Sequence, residues 1–164
     1  MCPRIQSVFR SGFWSNLLSH RHLNLLHMLL VFASTKSLEF HQVDINRAFL
    51  NAPLVKTVYL KITQGLNTDQ RKHCSRLKKE IYGLKKAPLS WYERLKNWLQ
   101  TVGFSLRLLD SCTFFQKGDN IIWLYIHIDD IAIFVNRVDS LKRELEQEFE
   151  IKDLGRADLL LGLR

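Results

Sequence analysis

The stretch Ile121–Val135, IIWLYIHIDDIAIFV, decides how the rest of the chain is read. An apolar run over Ile121–Ile128, rich in β-branched and aromatic side chains, meets Asp129-Asp130 and then a second run, Ile131–Val135. Short runs of that composition read as strands buried on both faces. An unpaired carboxylate inside such a strand is too costly to keep, so the acidic pair belongs at the tip of a tight hairpin. Adjacent acids repel, and Asp-Asp lacks the glycine favoured in two-residue hairpin turns. A neighbouring cation would relieve the repulsion. A metal-binding role and a plain acidic turn are both open at this point.

Outward from the hairpin, Ser111–Gln116 reads as a strand and Lys117-Gly118-Asp119-Asn120 as the turn joining it to Ile121, giving three consecutive antiparallel strands. Leu141, Leu145 and Phe149 mark one face of a helix over 138–149. The clearest helix is Ser90–Val102, where Trp91, Leu95, Trp98, Leu99 and Val102 form a single apolar stripe. Pro88 marks its start and Gly103 its stop. Further upstream, Glu39–Asp44 reads as a short strand ending in an acid. Asn46–Asn51 reads as a helical turn stopped by Pro53, and Val58–Leu60 as another short strand. Residues 63–80 form a polar connection carrying Arg71, Lys72, Arg76, Lys78 and Lys79. It is either a solvated face or a contact for a nucleic-acid backbone, and the charge of the whole chain favours the second.

A chain of 164 residues supports one sizeable core, and its net charge of +8 favours an anionic partner, nucleic acid before membrane. Cys2, Cys74 and Cys112 are odd in number, widely spaced and without a CxxC pair, which argues against a disulfide framework or zinc site and suits a reducing compartment. Residues 1–38 contain no acid. That composition fits an organelle-targeting peptide over 1–34, but Leu23–Ala33 is better read as a helix packing on the domain that follows.

If Glu39–Asp44 lies beside the hairpin in one sheet, Asp44, Asp129 and Asp130 converge at one edge. Such a cluster suits Mg²⁺, which binds through carboxylates and leaves room for substrate phosphates. Two ions ~3.5–4 Å apart can stabilise the attacking and leaving oxygens of an in-line phosphoryl displacement. Spacing alone does not establish the strand order this requires.

Four motifs in order extend the reading. HQVDINRAFLN (41–51), IYGLKKAPLSWYERL (81–95), LYIHIDDIAIF (124–134), and FEIKDLG with LLLGLR (149–164) resemble the reverse transcriptase of copia-like LTR retrotransposons. The resemblance runs over 36–164 and leaves 1–35 as a divergent, helical N-terminal segment. It implies an α+β, polymerase palm-like fold: a small antiparallel sheet with packed helices, partial fingers and no thumb. It implies RNA-directed DNA synthesis with an RNA template, a DNA primer, dNTP and two Mg²⁺ (or Mn²⁺) ions, and no membrane partner. Asp44 and Asp129 would ligate the metals, with Asp130 in support and the main-chain carbonyl of Ile45 as a further ligand. Phe49 would lie under the incoming sugar, where a ring clashes with a 2′-hydroxyl; on physical grounds alone it reads as a core residue. Gly83, Lys85 and Pro88 match the motif lining the nucleotide and template side, and Lys152 is a candidate to protonate the pyrophosphate leaving group.

The chain departs from the family pattern at Lys86 in place of Gln, Arg47 in place of Thr and His127 in place of Tyr. It stops where the family continues into a primer-gripping hairpin, thumb and RNase H, which implies a piece of a polyprotein or a decayed element copy. The resemblance places the protein in a cytoplasmic retroelement particle and in the nucleus. The competing reading is an inactive remnant that retains at most nucleic-acid binding.

Overall fold

A computed structural model describes residues 20–54, 56–61, 74–106, 111–118, 121–136 and 139–156. In chain order the elements are α1 (His20–Thr35), β1 (Glu39–Ile45), a short 3₁₀ helix (Ala48–Asn51), β2 (Tyr59–Lys61), β3 (Cys74–Arg76), α2 (Ala87–Thr101), β4 (Ser105–Leu106), β5 (Thr113–Lys117), β6 (Ile121–His127), β7 (Asp130–Val135), α3 (Asp139–Glu148) and β8 (Ile151–Arg156). Six strands form one antiparallel sheet in the order β4-β5-β6-β7-β1-β8, and β2 and β3 form a separate ribbon. The expected meander β5-β6-β7 is present, and β1 lies beside β7.

The central strands are apolar on both faces because both faces are covered. Along β7, Ile131, Ile133 and Val135 enter the main core, while Ala132 and Phe134 enter a second cluster on the opposite face. The main core is closed by Trp91, Leu95, Trp98 and Leu99 of α2 and by Leu141 and Leu145 of α3. The second is closed by Leu26, Leu29 and Ala33 of α1, with Phe40 stacked on Phe134 at 5.0 Å. The helix read over Leu23–Ala33 is thus α1, packed on the sheet. Among the described residues no helix is long and apolar enough to cross a membrane. Most of the segment considered as a targeting peptide, and the apolar tail 159–164, lie outside the described residues.

α2 begins three residues before Ser90, with Pro88 in its first turn. It ends where Gly103 takes φ +93, its N–H bonding the carbonyl of Gln100 while Phe104 N–H bonds that of Leu99. This paired closure satisfies the last carbonyls and buries Phe104 against the same core. β8 is not announced by its sequence, because IKDLGR is half-exposed to exposed at every position and so shows no apolar period. The short strands β3 and β4 likewise fall where the sequence reads as connection. Cys74 on β3 is disulfide-bonded, against the expectation of unbridged cysteines. Spacing along a chain does not determine which thiols meet in space.

β8 is tied to α3 by Lys142, whose ammonium donates to both carboxylate oxygens of Asp153 at 2.8 Å. Burial pushes the Asp153 carboxyl up, but the Lys142 hydrogen bond and the Gly155 N–H outweigh it and hold the group below its usual value. A carboxyl with a depressed folded pKa adds stability above its unfolded pKa and loses it as pH falls through the folded one. Asp153 is 40% exposed, so solvent screening keeps the pair to about 0.5–1 kcal/mol. Asp153→Asn is expected to lose that amount in urea unfolding at pH 7, with the difference vanishing in acid below the carboxylate range.

Candidate active site

The β6–β7 register pairs His127 with Asp130, so the hairpin loop consists of Ile128 and Asp129. This corrects the expectation that both acids occupy the tip: Asp129 is in the turn, and Asp130 is the first residue of β7. Asp130 is tolerated in a strand because it stands at the half-exposed end of the sheet. Ile128 takes φ +60, a left-handed conformation that β-branched residues rarely adopt and that hairpins usually assign to glycine. Three contacts hold it there. Trp91 Nε1–H donates to the Ile128 carbonyl at 2.8 Å, Ile45 N–H donates to the Asp129 carbonyl at 2.9 Å, and the Ile128 side chain packs on the main core.

Asp44 is paired with Asp130 on one side and with Lys152 on the other. With His127 opposite Asp130, a row His127–Asp130–Asp44–Lys152 crosses four strands. Directly opposed residues share a face, and like charges so placed repel. The face is the one that carries Phe40 and Phe134 further along; its apolar end lies under α1, and its other end holds Gln42, Asp44 and Asp130, all half-exposed. Burial, and then the charges of Asp129 and Asp130, raise the Asp44 carboxyl, with Lys152 pulling the other way.

The other two acids have side-chain donors. Gln42 Nε2 donates to Asp130 Oδ1 at 3.1 Å, and the Tyr82 hydroxyl donates to Asp129 Oδ2 at 3.0 Å. The Tyr82 hydroxyl is pushed up to about 12 by burial, its bond to Asp129, and the charges of Asp129 and Asp44, so it stays a neutral donor. Its ring lies 4.2 Å from that of Phe49. Phe49 itself is 5% exposed and belongs to the main core.

The structure therefore brings together Asp44, Asp129, Asp130, Ile45 and Lys152. Phe49 joins them through Tyr82. Gly83, with φ +94, and exposed Lys85 lie in the turns before α2, and Pro88 lies in its first turn. Of this stretch Tyr82 is the residue seen to bond an acid. Neither Tyr82 nor Gln42 was singled out from sequence, although Tyr82 directly precedes Gly83 in a motif already noted. Arg47, at φ +53, forms an ion pair with Glu150, and Asn46 N–H donates to the Glu150 carbonyl at 2.8 Å, anchoring the loop after β1.

Hard carboxylate oxygens around a repelling pair match the donor chemistry of Mg²⁺, which needs only one or two protein carboxylates beside water and substrate. Among the described residues no three His, Cys, Asp or Glu side chains are gathered closely enough to form a ready-made ion cage. The donor set fits a divalent ion completed by other oxygens.

Fold and site define an α+β domain with an acidic sheet edge in a basic chain. The family model described as reverse transcriptase (RNA-dependent DNA polymerase) matches residues 17–164. The chain belongs to that family, and its relatives mark it as copia-like. It is 36% identical over 143 residues to the retrovirus-related Pol polyprotein from transposon RE2 of Arabidopsis thaliana and 34% identical over 143 residues to that from transposon RE1, each match covering 84% of this chain. It is 30% identical over 145 residues, 85% of its length, to the corresponding polyprotein from transposon TNT 1-94 of Nicotiana tabacum. The chain spans 10%, 10% and 11% of these relatives, about a tenth of each. No solved structure gives a significant match.

Replacing Trp91 by Phe keeps the ring but removes the donor to the Ile128 carbonyl. The expected loss is about 1–2 kcal/mol, read by denaturant unfolding at unchanged slope.

Proposed function

We propose that this domain carries out RNA-directed DNA synthesis, the primer 3′-hydroxyl attacking the α-phosphorus of a dNTP. What supports the reading is the juxtaposition of Asp44 with Asp130 and Asp129, in a chain belonging to the reverse transcriptase family. Asp44 and Asp129 would hold Mg²⁺ or Mn²⁺, with Asp130 and the Ile45 carbonyl in support. Divalent ions bound there would supply Lewis-acid stabilisation of the attacking and leaving oxygens.

The protein's own part is positioning and charge. Ile45 N–H and Trp91 hold the turn so that Asp129 projects beside Asp44. Lys152, opposite Asp44, is a cation in reach of the same edge and would donate a proton to the departing pyrophosphate. The Phe49–Tyr82 aromatic pair would form the wall that rejects a 2′-hydroxyl, and Gly83, Lys85 and Pro88 would border the nucleotide and template. In this reading residues 36–164 supply palm and part of the fingers. The relatives being much longer Pol polyproteins supports its working beside further polyprotein segments such as thumb and RNase H. The compartment would be that of a retroelement particle and the nucleus.

Primer extension on an RNA template with Mg²⁺ or Mn²⁺ tests the reading. Extension is expected from the unaltered chain, falling about 100-fold or more in Asp44→Asn and in Asp129→Asn, the scale of losing one charge-stabilising group. Absence of extension at every divalent concentration, with salt-dependent binding to an RNA–DNA duplex intact, would contradict it and favour an inactive nucleic-acid-binding remnant.

A further inference from the structure

Tyr82 is 58% exposed, yet both ends of its side chain are held. Its ring is tilted 57° against that of Phe49 at a centroid distance of 4.2 Å. Its hydroxyl donates to Asp129 Oδ2 at 3.0 Å, across 47 residues of sequence. Phe49 is fixed in turn, being 5% exposed on the 3₁₀ helix and packed into the main core. A chain of contacts thus runs from the core through Phe49 and Tyr82 to the carboxylate at the tip of the hairpin.

Asp129 needs such a hold. The main chain around it is fixed by Trp91 and Ile45, but those contacts end at the carbonyls of Ile128 and Asp129 and leave the side chain to rotate. A carboxylate presents about four lone-pair positions over two oxygens. With Oδ2 engaged by Tyr82, Oδ1 keeps its full capacity. A partner that orients a metal-binding carboxylate in this way typically governs 10–100-fold in metal affinity.

We propose that Tyr82 is a positioning residue that aims the Asp129 carboxylate at a divalent cation, with Phe49 bracing its ring. The inference rests on the reading of Asp129 as a metal ligand. It adds a residue absent from the set read from sequence and gives Phe49 a second task beyond bordering the sugar. It also accounts for an aromatic residue left exposed beside Asp129 and Asp44.

The test is Mn²⁺ binding to the whole chain, followed by electron paramagnetic resonance, with the thermal unfolding midpoint measured in EDTA on each variant. Asp129→Asn is expected to lose the bound-Mn²⁺ signal. Tyr82→Phe, which keeps the ring on Phe49 and removes only the hydroxyl, is expected to weaken binding about 10-fold or more with the midpoint unmoved. Tyr82→Leu, which loses the hydroxyl and the ring contact with Phe49, is expected to weaken it at least as much. If Asp129→Asn loses the signal while Tyr82→Phe binds as the unaltered chain does, the role of Tyr82 is overturned and the metal reading stands. A fall in the midpoint of Tyr82→Phe that accounts for its lost binding would also overturn it, as a merely structural effect. If Asp129→Asn binds like the unaltered chain, the metal reading fails and this proposal fails with it.

Discussion

Two carboxylates on adjacent strands, Asp44 and Asp130, stand directly opposite one another, with a third, Asp129, in the neighbouring turn. Sheets avoid like charges at facing positions because the pair repels across a short gap. Here the repulsion is imposed by pairing that the rest of the molecule enforces. β1 and β7 share six register positions, and Val43, Ile45, Ile131 and Ile133 lock both strands into the main core. Slipping either strand by one residue would turn that apolar row out of the core, a far larger cost than one unfavourable charge pair. Hydrophobic register therefore holds the acids in place.

The same logic explains the turn. Ile128 adopts a backbone conformation it would not choose, and the contacts that hold it come from α2 and from β1. A strained residue persists where surrounding structure over-determines it. Trp91, which reads as a core residue from its helical spacing, is buried as expected and also supplies the hydrogen bond to the hairpin. One side chain thus connects α2 to the acidic edge.

How far this was legible from sequence depends on the kind of signal each element carries. The doubly buried strands β6 and β7 and the striped helix α2 announce themselves through runs and period, because burial writes hydrophobicity into every position it touches. β8 writes nothing of the kind, since IKDLGR lies at a sheet edge with its side chains largely in solvent. The convergence of Asp44 with the hairpin required strand order, which periodicity does not encode; the ordered motifs pointed to it. The split of Asp129 and Asp130 between turn and strand depends on a one-residue register that composition cannot resolve. Tyr82 was hidden for the opposite reason to the core: it is exposed, and its importance lies in one hydrogen bond to a residue far away in sequence.

The Asp44 edge is an electrostatically unfavourable arrangement, one that a bound divalent cation would relieve. Thermal unfolding of the unaltered chain and of Asp44→Asn, each in EDTA and in Mg²⁺, tests it most directly. Removing that charge should raise the midpoint in EDTA, because burial, and then the charges of Asp129 and Asp130, disfavour the ionised form of Asp44. Mg²⁺ should raise the midpoint of the unaltered chain through binding to the folded state, and should do so much less for the variant. A lower midpoint for Asp44→Asn in EDTA, together with no response of the unaltered chain to Mg²⁺, would contradict the account.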